Sequence, residues 1–300
     1  MYFRETPVKS PEMLLIQRLC IIGVGLIGGS LARALKQAQA VGEVIGAGRR
    51  EAPLRTALEL GVIDRGETDL PLAVAAADVV VVAVPLGAML KVFAAIVDHL
   101  PPACVLTDVG SAKGSVLGDV RRVFGRAPPT FVPGHPIAGT EKSGVEASCA
   151  DLFHGRKVIL TPLVETAAGA LELIRRMWAS TGAEVVEMGV RHHDQVLAAT
   201  SHLPHLLAYT LVDTLARLDD RAEIFRYAAG GFRDFTRIAS SDPRMWHDIC
   251  LANRDHLLEV IACFNRDLAR LTEAIKNGDS EAIVDIFERA KHARDNLYRE

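Results

Sequence analysis

The segment Gly23-Val24-Gly25-Leu26-Ile27-Gly28 constrains this chain more than any other. It follows an apolar run at residues 19–22 and opens a stretch of helical composition, Leu26–Gln37. A glycine turn between a buried strand and a helix is the phosphate-binding corner of a Rossmann-type fold. Gly23 makes the turn, Gly25 lets a pyrophosphate reach the backbone, and Gly28 lets helix and strand pack closely. The helix start at Leu26 and Ile27 offers unpaired N–H groups and the positive end of the helix dipole to that pyrophosphate.

The rest of the first half fits such a fold. Strands are predicted at residues 43–45, 78–84, 103–107, 130–132, 157–160 and 183–186, and helices at 53–60, 89–99, 114–124 and 167–180. Alternation of this kind reads as one largely parallel sheet covered on both faces. Ligands of such sheets lie over the carboxyl ends of the strands, so Val84-Pro85, closing the most apolar strand, is expected to flank the cofactor. After Gly189 the pattern changes and no strand is predicted. Residues 192–218 read as a long helix kinked near Pro204. Asp242-Pro243 starts another, running to Lys276 and ended by Asn277-Gly278, and a last helix fills residues 280–298. The expected fold class is therefore an α/β Rossmann-type N-terminal domain, residues 1–189, followed by an all-α C-terminal domain, residues 190–300. Residues 1–17 carry little signal and read as partly disordered.

Composition narrows the function. A net charge of −3 over 300 residues argues against nucleic acid as the main partner. The apolar run at 79–84 is far too short to span a membrane. The five cysteines are scattered without a C-x-x-C pair, which indicates neither a zinc framework nor a redox motif and fits a reducing cytoplasm.

Fold alone does not assign chemistry. The informative stretch is Gly134-His135-Pro136-Ile137-Ala138-Gly139-Thr140-Glu141. A histidine between Gly and Pro, in a loop after a strand, is positioned rather than packed. Taken with residues 25–32, Asp108-Val109-Gly110-Ser111-Ala112-Lys113, Ser201-His202-Leu203-Pro204-His205 and Phe235-Thr236-Arg237-Ile238-Ala239, it resembles the prephenate/arogenate dehydrogenase family of tyrosine biosynthesis. The resemblance runs in the family's order from Arg18 to Trp246.

The resemblance implies an oxidative decarboxylation. Hydride leaves ring carbon C4 for NAD(P), the C4 hydroxyl loses its proton, and CO₂ departs from C1 as the ring aromatises. His135 matches the family histidine that accepts the hydroxyl proton, and Ser111 a serine that orients the hydroxyl; Ser111 is equally a candidate N-cap for the helix that follows. Arg237 matches the arginine that binds the ring carboxylate, with Asp234 one turn earlier to hold it, though a surface ion pair would explain Arg237 as well. His205 and, second to it, His202 would face substrate from the helical domain. Their i, i+3 spacing also resembles a metal pair, but no carboxylate or cysteine accompanies them, so no metal is expected. Thr140 and Glu141 match positions at the mouth of the site. Trp246 either walls the pocket or packs in the helical core. Lys113 reads as structural as readily as functional, and His192-His193 as a surface pair. The resemblance further implies a homodimer through the helical domain and a small-molecule substrate, prephenate or arogenate, in the cleft between domains. Two rivals share the glycine loop: a β-hydroxyacid dehydrogenase, and a non-catalytic dinucleotide sensor. Neither needs both His135 and Arg237.

The second strand ends Val44-Ile45-Gly46-Ala47-Gly48-Arg49-Arg50. NAD-binding domains carry an acidic residue about 20 positions after the glycine loop to bond the ribose hydroxyls. Here Gly48 occupies that place and two arginines follow. Losing the carboxylate removes repulsion against a 2′-phosphate, and guanidinium groups supply its partners. Glu51 reads as the start of the next helix. The expected cofactor is NADP in preference to NAD, held by Gly23, Gly25, Leu26, Ile27, Gly28, Gly48, Arg49, Arg50, Val84 and Pro85.

Overall fold

The structure, a computed structural model, describes residues 14–296. Its first part runs β1 (Ile16–Ile22), α1 (Leu26–Gln37), β2 (Val41–Ala47), α2 (Glu51–Glu59), β3 (Arg65–Glu67), α3 (Leu70–Val74), β4 (Val79–Val82), α4 (Leu86–Ile96), β5 (Val105–Asp108), α5 (Lys113–Phe124) and β6 (Phe131–Val132). The six strands form one parallel sheet in the order β3-β2-β1-β4-β5-β6. Successive side chains point to opposite faces. Leu19, Ile21, Val79 and Val81 enter one core, and Cys20, Ile22, Val80 and Val82 the other. Burial on both faces is why β4 reads as an unbroken apolar run. The strand order reverses between β1 and β4, which places the ligand crevice above their carboxyl ends. β3 and α3 escape the sequence reading because they are three and five residues long.

The expectation of a single sheet is corrected. The chain leaves the parallel sheet at Pro133 and forms a second, three-stranded one from β7 (Gly134–Pro136), β8 (Lys157–Leu160) and β9 (Glu184–Glu187), with α6 (Ala168–Ala179) between the last two. β7 is antiparallel to β8, and β8 parallel to β9. Proline has no N–H to give a ladder, so Pro133 ends the two-residue β6. His135 thus lies in a strand, paired with Ile159, and not in a loop.

Beyond Glu187 the described residues form no strand. Helix α7 (Val190–Leu197) passes through a π-helical turn, Ala198–His202, into α8 (Leu203–Ala216). The turn supplies the expected kink. Pro204 cannot donate to the carbonyl one turn back and crowds it, and widening the ladder relieves both faults. Then come α9 (Arg221–Arg226), α10 (Gly230–Thr236), a 3₁₀ turn at Arg237–Ser240, α11 (Pro243–Ala252), α12 (Arg254–Asn277) and α13 (Ser280–Asn296). Asp242 caps α11 by accepting from the N–H groups of Arg244 and Met245. The helix expected to run from there to Lys276 is broken at Asn253. Gly278, left-handed at φ 64°, ends α12 as expected. The reading of residues 1–17 falls mostly outside the described residues, as does the end of the last helix beyond Asn296; within the former, β1 already begins at Ile16.

Candidate active site

The glycine corner is built as its spacing requires. Gly23 has φ +101°, and a Cβ there would lie 2.3 Å from the Ala83 carbonyl oxygen. A Cβ on Gly28 would lie 2.3 Å from the Gly23 oxygen. Gly25 differs: a Cβ would meet nothing within 4 Å, so open space faces this backbone. Gly25 is the N-cap of α1, no side chain caps the helix, and its first turn holds no acidic residue. The first-turn N–H groups at Leu26, Ile27 and Gly28 lack intrahelical partners. This cradle fits a dinucleotide pyrophosphate. At the end of β2, Gly48 is half-buried, while Arg49 and Arg50 are exposed and make no ion pair among the described residues. Glu51 opens α2, as expected. β4 ends at Val82, earlier than expected, so Val84 and Pro85 form the turn into α4. There the Gly87 N–H donates to Asp248 Oδ2 at 3.1 Å, joining the nucleotide half to α11.

His135 sits at the junction of the two halves and is 8% exposed. Its Nδ1 lies 2.9 Å from Nε2 of His193, whose Nδ1 lies 2.7 Å from Asp194 Oδ1. Asp194 also accepts the N–H groups of Lys113 and Gly114, each at 2.8 Å. That carboxylate, and not Ser111, therefore caps α5; Ala112 holds the cap position. The fully buried Lys113 ammonium donates to Asp108 Oδ2 and to the Gly134 carbonyl, both at 2.5 Å, and so pins the residue before His135. Burial holds the His135 pKa well below the usual histidine value, helped by His193 and Lys113. Burial also lowers His193, against the opposing pull of its Asp194 hydrogen bond. Asp194 stays below the ordinary carboxylate value despite its own burial, because His193, Gly114 and Lys113 donate to it.

The helical half adds a second cluster. Asn253 Nδ2 donates to the Asp194 carbonyl at 2.8 Å and reaches His202 Nδ1 at 3.1 Å. Burial holds His202 at a pKa of about 4, and its Nε2 has no partner among the described residues. His205 donates Nδ1–H to the Ser201 carbonyl and stacks on Trp246 with ring centroids 3.7 Å apart. Its pKa is lowered by burial and then by nearby Arg237. Arg237 pairs with Glu141 at 3.3 Å and not with Asp234, contrary to expectation. Both partners are exposed. Thr140 accepts the Lys142 N–H, and Ser111 is half-buried without a hydrogen bond among the described residues. Trp246 is buried against both His202 and His205.

His135, His202, His205, Trp246, Arg237 and Glu141 are thus drawn to one region, while Ser111 and Thr140 touch none of them by a hydrogen bond. The sequence reading passed over His193 as a surface residue, yet it is fully buried. It assigned nothing to Asp194 or Asn253. An Asp directly after two histidines was the available signal. Among the described residues no group of three or more His, Cys, Asp or Glu side chains is arranged to hold a metal ion. Among the described residues no helix is long and apolar enough to cross a membrane.

Residues 31–187 match the family model described as prephenate dehydrogenase, nucleotide-binding domain, and residues 190–289 the one described as prephenate dehydrogenase, dimerization domain. A cyclohexadienyl dehydrogenase of Zymomonas mobilis is 39% identical, covering 94% of this chain and 96% of that protein. The crystal structure of prephenate dehydrogenase from Aquifex aeolicus, in complex with hydroxyphenyl propionate and NAD+, superposes with a TM-score of 0.87 at 38% identity over 96% of this chain and all of that one. The arogenate dehydrogenase of Synechocystis superposes with a TM-score of 0.78 at 26% identity, over 94% of this chain and 100% of that one. With both halves matched in order, and a buried histidine hydrogen-bonded across them, the chain belongs to the prephenate dehydrogenase family.

Proposed function

We propose that this chain oxidatively decarboxylates prephenate, arogenate or both with an NAD(P) cofactor, in tyrosine biosynthesis. One observation carries the reading: the other half sets His193 and His202 close to the buried His135, whose pKa burial lowers, and His202 shares Trp246 with His205. Residues 1–189 form the dinucleotide-binding domain and residues 190–300 the substrate and dimerisation domain. The cofactor lies on Gly23, Gly25, Leu26, Ile27 and Gly28, with Gly48, Val84 and Pro85 lining it; when bound, its nicotinamide supplies the hydride acceptor. Arg49 and Arg50, exposed and without ion pairs among the described residues, favour the 2′-phosphate of NADP over NAD.

His135 takes the proton of the C4 hydroxyl, and Ser111 orients that hydroxyl. As the C1 carboxylate leaves as CO₂, the ring electrons aromatise and the oxygen regains its proton from His135, so the step releases no net proton. Arg237 holds a substrate carboxylate, and its pairing with Glu141 keeps the guanidinium in place until then. His205, with His202 behind it, takes the side chain, Trp246 walls the pocket, and Thr140 and Glu141 form its mouth. Two chains pair through their helical domains. The test is turnover of prephenate and of arogenate by the parent, His135→Asn and Arg237→Gln. His135→Asn should lower kcat about 10²-fold or more with dinucleotide affinity intact, and Arg237→Gln should mainly raise KM for the cyclohexadienol. Activity within a few-fold of the parent in His135→Asn would remove the base, and failure of the parent to turn over either substrate would remove the function.

A further inference from the structure

We propose that His193 and Asp194 are positioning residues that fix which nitrogen of His135 is basic, and that they do so only while the two halves are docked. The inference rests on His135 being the base. It comes from an accounting of protons along the chain Asp194–His193–His135. An ionised carboxylate can only accept. Asp194 Oδ1, 2.7 Å from His193 Nδ1, therefore fixes the His193 proton on Nδ1. Neutral His193 then has a bare Nε2. The His135 Nδ1 that lies 2.9 Å away must donate to it, which leaves the lone pair of His135 on Nε2. An imidazole without these partners would divide itself between two tautomers, and only one has its base at Nε2.

The same carboxylate makes the arrangement conditional. Its other donors are the N–H groups of Lys113 and Gly114, which open α5 in the nucleotide half, whereas Asp194 and His193 lie on α7 in the helical half. A helix start attracts a carboxylate by its unpaired N–H groups and its dipole. Separating the halves would strip Asp194 of both main-chain donors and withdraw His193 from His135. The Asn253 amide, donating to the Asp194 carbonyl, holds the same residue from the other side. Docking of the halves and orientation of the base are thus one event.

The test reads the tautomer directly, from long-range ¹H–¹⁵N correlation spectra of the full-length protein labelled with ¹⁵N-histidine. The His135 signals are those lost in His135→Asn. The parent should show His135 protonated on Nδ1. In Asp194→Asn the NH₂ must meet either the Gly114 N–H or both His193 and the Lys113 N–H, so in each orientation a main-chain tie between the halves is lost. His193 is then no longer held against His135, and the His135 proton should be shared between Nδ1 and Nε2. That variant should lose about tenfold or more in kcat, with dinucleotide affinity within about threefold of the parent. His193→Phe keeps a ring in place and removes the acceptor of His135 and the donor to Asp194, which retains its two main-chain donors, so it should give His135 a mixed tautomer and about a tenfold or greater loss in kcat; it carries the test if Asp194→Asn does not fold. A parent with the His135 proton on Nε2, or a His193→Phe variant with parental tautomer and kcat, overturns the proposal. If His135→Asn is inactive while those variants match the parent, the base stands and only the positioning role falls; if His135→Asn is active, the base itself falls.

Discussion

A histidine can take a proton only while it is neutral, so the pKa of His135 sets the acid edge of activity. Burial lowers that pKa, and His193 and Lys113 lower it further, with His202 adding to the effect. Asp108 and Asp194 complete the charged surroundings, but each is already engaged by donors of its own. The sign follows: kcat/KM should stay flat as pH falls through about 6.5, the unperturbed value, and drop only below it. A pH profile whose acid limb sits at or above that value would contradict the assignment. His193 shows why such a residue is hard to find in a sequence. His192 and His193 are neighbours of the same type, and only the docking of α7 on α5 decides that His192 is exposed and His193 buried. Lys113 is similar: its role depends on Asp108 and Gly134, which the topology brings together.

Among the elements, those specified by local chemistry were legible. The corner Gly23–Gly28, the capped start at Asp242-Pro243 and the stop at Gly278 each rest on residues within one turn of each other. β7 was not, since its partner is Lys157–Leu160, and no pattern in three residues announces a strand. The break at Asn253 was not legible either, because its cause is tertiary: the amide serves the Asp194 carbonyl and His202. Asn253→Ala would leave His202 Nδ1 unpaired in a buried place and take from the Asp194 carbonyl its second donor, the first being the Ala198 N–H. It should cost about 1–3 kcal/mol, read from urea denaturation of the protein at fixed concentration. The turn from β2 into α2 carries a prediction of another kind. If Arg49 and Arg50 meet a 2′-phosphate, replacing both with Ala should lower kcat/KM for NADP by about tenfold or more and leave that for NAD nearly unchanged. Equal values for the two cofactors in the parent would remove the preference.

At the scale of the whole molecule, the two halves are unequal in self-sufficiency. The sheet half has a core on each face. By contrast the 24-residue α12 buries only Leu257 and Ala274, and α13 buries no residue. Leu251, Leu258, Leu268, Ile275, Val284 and Phe287 are all large, apolar and exposed. Helices of this kind are stabilised by packing more than by propensity, so a second copy is the expected cover. Ile275→Asp together with Phe287→Glu should shift the particle to a monomer in sedimentation and lower its Tm; a parent that is already monomeric at micromolar concentration would refute the dimer. The two halves of one chain also meet at Gly87, where even a methyl group would lie 2.6 Å from the Asp248 carboxylate. That spacing has a mechanical consequence. A side chain at 87 would first push aside the Asp248 carboxylate, the movable end of its side chain, and so break the bond from the Gly87 N–H that ties α4 to α11. That tether between the halves therefore depends on a residue that contributes no functional group.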